Sequence, residues 1–297
     1  MRPDPSRTNP PREVMEYLAD EVWQRIADGE RLGISQGETS ITDHLLLEIA
    51  RLGDPRFKVM KTSIIKEAEQ GTDWEWWVGS PSAGWLRYAI QAKRFNLKTG
   101  TYDKLNHTIG KNHERQLDVL KNYASKNNAI PAYCLYNHAT EADYGPFWHC
   151  GVTPPEPTQL GCTISGLPQV EAALNGRGQR TFKSFHQNGA FPWRCLVGCR
   201  VFLGVLGTEG HPDTLYSRKW FVKIFGNEPT VHRNLPPGFE GVRAEPNLRV
   251  EEFSQEFYRR DPEQEFALYP RQIALVDVSE QLAQSNCVFP ESHFGCL

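Results

Sequence analysis

Asp73-Trp74-Glu75-Trp76-Trp77 and the run Trp85-Leu86-Arg87-Tyr88-Ala89-Ile90-Gln91-Ala92-Lys93 decide how this chain is read. In an extended strand alternate side chains share a face, so Asp73 and Glu75 point one way and Trp74, Trp76 and Val78 the other. In the second run Leu86, Tyr88, Ile90 and Ala92 alternate with Arg87, Ala89, Gln91 and Lys93. Two adjacent strands of this kind share an apolar face on a core. Their other face presents two carboxylates, an amide and a lysine, a set suited to metal-and-lysine chemistry on phosphodiesters.

Working outward, residues 12–28 read as an amphipathic helix with Val14, Met15, Leu18, Val22 and Ile26 along one stripe. A second helix runs from Glu38 to Leu52 and ends at Gly53-Asp54-Pro55. Strands are expected at 57–64, 73–78, 85–95 and 130–136, with a helix over 112–125. This order of elements gives an α/β sheet flanked by helices. Beyond residue 138 the pattern loosens: the Pro/Gly-rich segments 151–168 and 226–247 separate short elements at 194–206, 219–225 and 272–278. The division expected is an N-terminal tail and helix at 1–33, a core at 34–137, and an α+β extension or second domain at 138–297.

The order helix, strands, helix, strand, with an acid near the first helix, Asp73 on a strand and Gln91-Ala92-Lys93 on the next, resembles the PD-(D/E)xK restriction-endonuclease-like superfamily. Gln91-Ala92-Lys93 looks like the Q-x-K variant of Mrr-class nucleases. Gly71-Thr72-Asp73-Trp74-Glu75-Trp76-Trp77 with Gln91-Ala92-Lys93-Arg94 is also similar to an uncharacterised bacterial family suspected of phage defence. The resemblance covers about residues 34–137. It implies an αβββαβ core, Mg²⁺ (or Mn²⁺) as cofactor, Asp73 as metal ligand and Lys93 as the catalytic lysine. Gln91 stands where an acid is commoner, so a further carboxylate must compensate, from Glu75 or the helix-borne Glu38. Glu48 competes with Glu38 for the helix role, because both lie near the core-facing stripe. Glu38 is preferred for its place at the helix start, where a mere capping acid is the alternative.

The chemistry asks for these residue types. Carboxylates hold a hard cation that polarises the phosphoryl group, and a lysine stabilises the developing charge. The formal net charge is −3, yet residues 84–126 carry nine Lys/Arg against three acids. That basic segment suits a polyanion, with Arg94, Lys98, Lys111 and Lys121 on phosphates and Gln116 reaching the backbone. Trp77 shares the acids' face and is the candidate for base stacking; Trp74 and Trp76 read as core.

Seven cysteines without a signal peptide indicate reduced thiols in a cytoplasmic protein. A structural Zn²⁺ on His149, Cys150, Cys162, Cys195 and Cys199 is the weaker reading. No apolar run reaches the ~18 residues of a membrane span. The expected function is Mg²⁺-dependent phosphodiester hydrolysis, on DNA before RNA, in a defence setting with a homo-oligomer or a defence-system partner. The alternatives are a catalytically inactive nucleic-acid-binding or assembly module on the same fold, and a zinc-stabilised interaction domain in the C-terminal half.

Overall fold

In the computed structural model, which describes residues 10–61, 72–109, 113–139, 156–176, 180–236 and 272–285, the stripe Val14, Leu18, Val22 and Ile26 is the buried face of helix α1 (Pro11–Leu32). Pro11 opens it, where a missing N–H costs no helical hydrogen bond. Gly33, at φ 71°, closes it in the left-handed conformation. Helix α2 (Glu38–Leu52) begins after Gly37 with no side-chain cap, and its Ile41, Leu45, Ile49 and Leu52 are buried.

The strands follow: β1 (Phe57–Lys61), β2 (Trp74–Ser80) and β3 (Gly84–Arg94). The tight turn between β2 and β3 depends on Gly84 at φ 91°, where a Cβ would also meet Val231 Cγ1 at 2.5 Å. A small hairpin, β4 (Thr108–Ile109) with β5 (Glu114–Arg115), leads into α3 (Gln116–Lys126) and β6 (Ile130–Tyr136). Beyond it come β7 (Cys162–Gly166), α4 (Leu167–Asn175), α5 (Phe182–Gln187) and β8 (Phe191–Pro192). The short helices α6 (Cys195–Gly198) and α7 (Arg200–Leu203) precede α8 (Pro212–Phe225) and β9 (Val231–His232). Strand β10 (Gln272–Asp277) and α9 (Ser279–Ser285) complete the described chain.

Eight of the described strands make one mixed sheet in the order β1-β10-β2-β3-β6-β7-β8, with β9 pairing beside β3. Strand β10 lies between β1 and β2, antiparallel to the first and parallel to the second. The protein is therefore of the α/β class. Of the two alternatives expected for 138–297, the sheet agrees with an extension and not a second domain: β7, β8 and β10 belong to the same sheet as β1–β3. Across the boundary expected at 33/34, Val14, Leu18 and Val22 of α1 share a core cluster with Trp76 and Tyr88.

Both faces of the sheet are covered. Trp74, Trp76, Val78, Leu86, Tyr88, Ile90 and Ala92 pack against α1, α2 and the helices α6–α8. Ala89, Tyr133 and Leu135 pack on the other side with Leu117, Leu120 and Tyr123 of α3 and with residues of α4 and α5. This corrects the expectation of an open polar face: the α3 helix roofs it. Among the described residues no helix is long and apolar enough to cross a membrane.

Candidate active site

The antiparallel register of β2 and β3 sets Asp73, just before β2, beside the end of β3 that carries Gln91 and Lys93. Asp73 N–H donates to the Ile90 carbonyl at 2.8 Å, continuing the ladder. The Asp73 Oδ2 atom accepts from Gln91 Nε2 and from the Ala92 backbone N–H, both at 2.6 Å. Gln91 Oε1 in turn accepts from Gln116 Nε2 at 2.7 Å, and Gln116 Oε1 accepts from Lys93 Nζ at 2.7 Å. An ammonium can only donate and a carboxylate can only accept, so the chain Lys93→Gln116→Gln91→Asp73 has one direction, and both amides are fixed in orientation.

Glu38 closes the group from the first turn of α2. Its Oε2 is 3.7 Å from Lys93 Nζ, and its Oε1 accepts from the Arg94 backbone N–H at 3.2 Å. The carboxylate thus spans to the end of β3 instead of capping its own helix. Lys93 is buried, with 3 % of its side chain exposed. Burial holds its pKa below the ordinary lysine value, against the opposing pull of the Glu38 and Asp73 carboxylates.

Glu38, Asp73 and the Gln91 carbonyl are hard oxygen donors, and Mg²⁺ usually takes one or two carboxylates while keeping several waters. In kind, this set fits such a cation. Among the described residues no group of three or more His, Cys, Asp or Glu side chains gathers as a metal cluster.

Other expected site residues stand elsewhere. Glu75 is fully buried beneath α3, where it accepts from Arg87 Nε (2.9 Å), the Tyr123 hydroxyl (2.7 Å) and Trp77 Nε1 (3.0 Å). Three donors on one inaccessible carboxylate make it the counter-ion of Arg87, not a metal ligand. Trp77 is buried too, between the Arg87 guanidinium and the His232 ring, so no base can stack on it. Glu48 pairs with Arg51 at 2.7 Å.

Four of the nine basic residues of this segment, Arg87, Lys93, Arg115 and Lys121, are paired with carboxylates. Arg87 and Lys93 are interior, Arg115 pairs with Asp118, Lys121 pairs with Glu171, and the Arg94 guanidinium is bound to Ser35 and the Gln36 carbonyl. Lys98, Lys104 and Lys126 are exposed, and Lys111 lies outside the described residues. Cys134, Cys162, Cys195 and Cys199 are buried; His149 and Cys150 lie outside the described residues.

One residue of this site escaped the sequence reading. Tyr133 lies directly across from Gln91 in the parallel β3–β6 register, on the face that carries Lys93. It is fully buried, its hydroxyl has no hydrogen-bond partner among the described residues, and burial, then Asp73 and Asp118, raise its pKa. Period-two alternation in 130–136 gives its face. Nothing in the sequence gives its neighbour across the ladder.

No curated protein and no solved structure matches the chain. A family model described as "Family of unknown function (DUF6615)" matches residues 11–277, and the chain belongs to that family.

Proposed function

We propose that this protein hydrolyses phosphodiester bonds in nucleic acid, DNA before RNA, with Mg²⁺ or Mn²⁺, on a restriction-endonuclease-like core. The observation that carries the reading is the meeting of the buried Lys93 with Glu38 and Gln116, and of Gln91 with Gln116 and Asp73, from four separate parts of the chain. Asp73 and Glu38 would hold the cation, with Gln91 beside them. When bound, that cation supplies charge neutralisation on the phosphoryl group and lowers the pKa of a coordinated water. Lys93 adds a positive charge that burial leaves poorly screened, so it stabilises the anionic transition state strongly. Gln116 holds the Lys93 ammonium in place. A role in antiviral defence follows only from the family resemblance.

Purified protein incubated with plasmid, linear DNA and RNA in Mg²⁺ and in Mn²⁺ is expected to cleave. Lys93→Ala should lose about 10²–10³ in rate, the usual cost of one charge-stabilising donor, and Asp73→Asn should abolish activity by removing a carboxylate that would hold the cation. Intact substrates with both metals, or full activity in Lys93→Ala, would reject the reading.

A second reading, a catalytically inactive nucleic-acid-binding or assembly module, is favoured by one feature. The Lys93–Gln116–Gln91–Asp73 chain already engages the polar atoms that a substrate and cation would need. It is distinguished by duplex binding in the absence of turnover.

A further inference from the structure

Of the buried tyrosines on the α3 side of the sheet, Tyr102 donates to Asn137 at 2.6 Å and Tyr123 to Glu75 at 2.7 Å. Tyr133 is as buried as Tyr102 and has no partner among the described residues. A buried hydroxyl left unpaired costs about 1–3 kcal/mol, and phenylalanine would fill the same space without that cost. Packing alone therefore gives no reason for the oxygen. Its surroundings do: Gln91, its ladder neighbour, donates to the Asp73 carboxylate, and Asp73 and Asp118 both add to the burial that raises the phenol's pKa.

We propose that Tyr133 is a positioning residue of the Asp73 site, its hydroxyl donating to a water that in turn donates to the Asp73 carboxylate. The neighbouring charges select the ligand. Two carboxylates repel an anionic phosphate oxygen, whereas a neutral water can give its hydrogens to a carboxylate and accept from a phenol. Buried waters need two to four polar partners, and the phenol and Asp73 supply the first two. By fixing the carboxylate indirectly, Tyr133 would tune its affinity for the cation, as outer partners of metal ligands commonly do by 10–100-fold. The inference rests on the metal-dependent reading above.

Tyr88 supplies an internal control. Its hydroxyl is equally buried and has no partner among the described residues, but it lies on the opposite face against Phe221 and Phe225. The test measures Mn²⁺ dissociation constants by electron paramagnetic resonance of the free ion, and thermal unfolding without metal, for wild type, Tyr133→Phe and Tyr88→Phe. Weakening of Mn²⁺ binding about tenfold or more in Tyr133→Phe alone, with its unfolding temperature held, supports the proposal. Equal Mn²⁺ affinity in wild type and Tyr133→Phe overturns it while leaving the metal-dependent reading intact. A loss of stability in Tyr133→Phe with unchanged affinity also overturns it, because the hydroxyl would then serve the fold. Failure of wild type to bind Mn²⁺ at all sinks the parent reading, and this one with it.

Discussion

Glu75 shows at the scale of one residue how burial decides between chemistry and architecture. Its carboxylate and the Arg87 guanidinium, 2.7 Å apart and almost wholly withdrawn from solvent, form a buried ion pair. Such a pair adds little over apolar residues of the same shape, but breaking it leaves an uncompensated charge. Glu75→Gln is therefore expected to lose about 3 kcal/mol in urea unfolding. The double variant Glu75→Leu/Arg87→Met should recover most of it. Mn²⁺ affinity should not move in either. A single variant as stable as wild type would show that the pair does not hold α3 to the sheet.

The elements themselves were largely legible. The bounds of α2 and β6 match the sequence reading residue for residue, because Gly37 and Gly53 punctuate one and Asn127-Asn128 precede the other. Parity put Trp74 and Trp76 in the core and Asp73 with Glu75 on the other face. What parity does not contain is the roof. Helix α3 begins at Gln116, not 112, and it is its Tyr123 and Gln116 that turn an apparently open polar face into an interior one. The long helix α8 was seen only as its last half, since Lys219–Phe225 carries the regular apolar spacing and the Pro212 start lies in a polar stretch.

Helix α5 carries a pH dependence of its own. His186 is fully buried; its Nδ1–H donates to the Phe182 carbonyl at 2.7 Å, so Nε2 accepts from the Thr163 hydroxyl at 3.2 Å. Burial pushes its pKa down to about 4 from the ordinary 6.5. Above pH 6.5 both folded and unfolded states keep it neutral. Between pH 6.5 and 4 the unfolded chain binds a proton that the folded one refuses, so stability falls as pH falls, by about 1 kcal/mol per unit, and levels off below 4. Urea unfolding at pH 7 and pH 5 should show wild type losing more than His186→Gln over that interval. Parallel losses would mean the imidazole does not stay neutral.

At the scale of the molecule, the expected core at 34–137 draws its sheet neighbours from beyond its own bounds. Strand β10 supplies the hydrogen-bonding partner on one side of β2, and β7 the partner on the far side of β6. A fragment of residues 34–137 would expose both edges and lose the α1 stripe that covers Trp76. It is expected to show no cooperative thermal transition by circular dichroism, and a sharp one would restore the core as a unit. The sequence hid this arrangement because Gln272–Asp277 is a short apolar run whose pairing depends on residues far away in the chain.

That insertion of β10 has a consequence for how the molecule comes into being. During synthesis, β2 emerges with the edge that β10 will fill unpaired, and the partner of Glu75, Ile273, is made only after nearly all the rest of the described chain. For that interval an apolar, tryptophan-rich strand offers its open backbone to any other nascent copy. Closing so distant a pairing is slow, since loop entropy is spent before any contact repays it. The protein would thus depend, in the cell, on chaperones and modest translation density more than its stability alone would suggest.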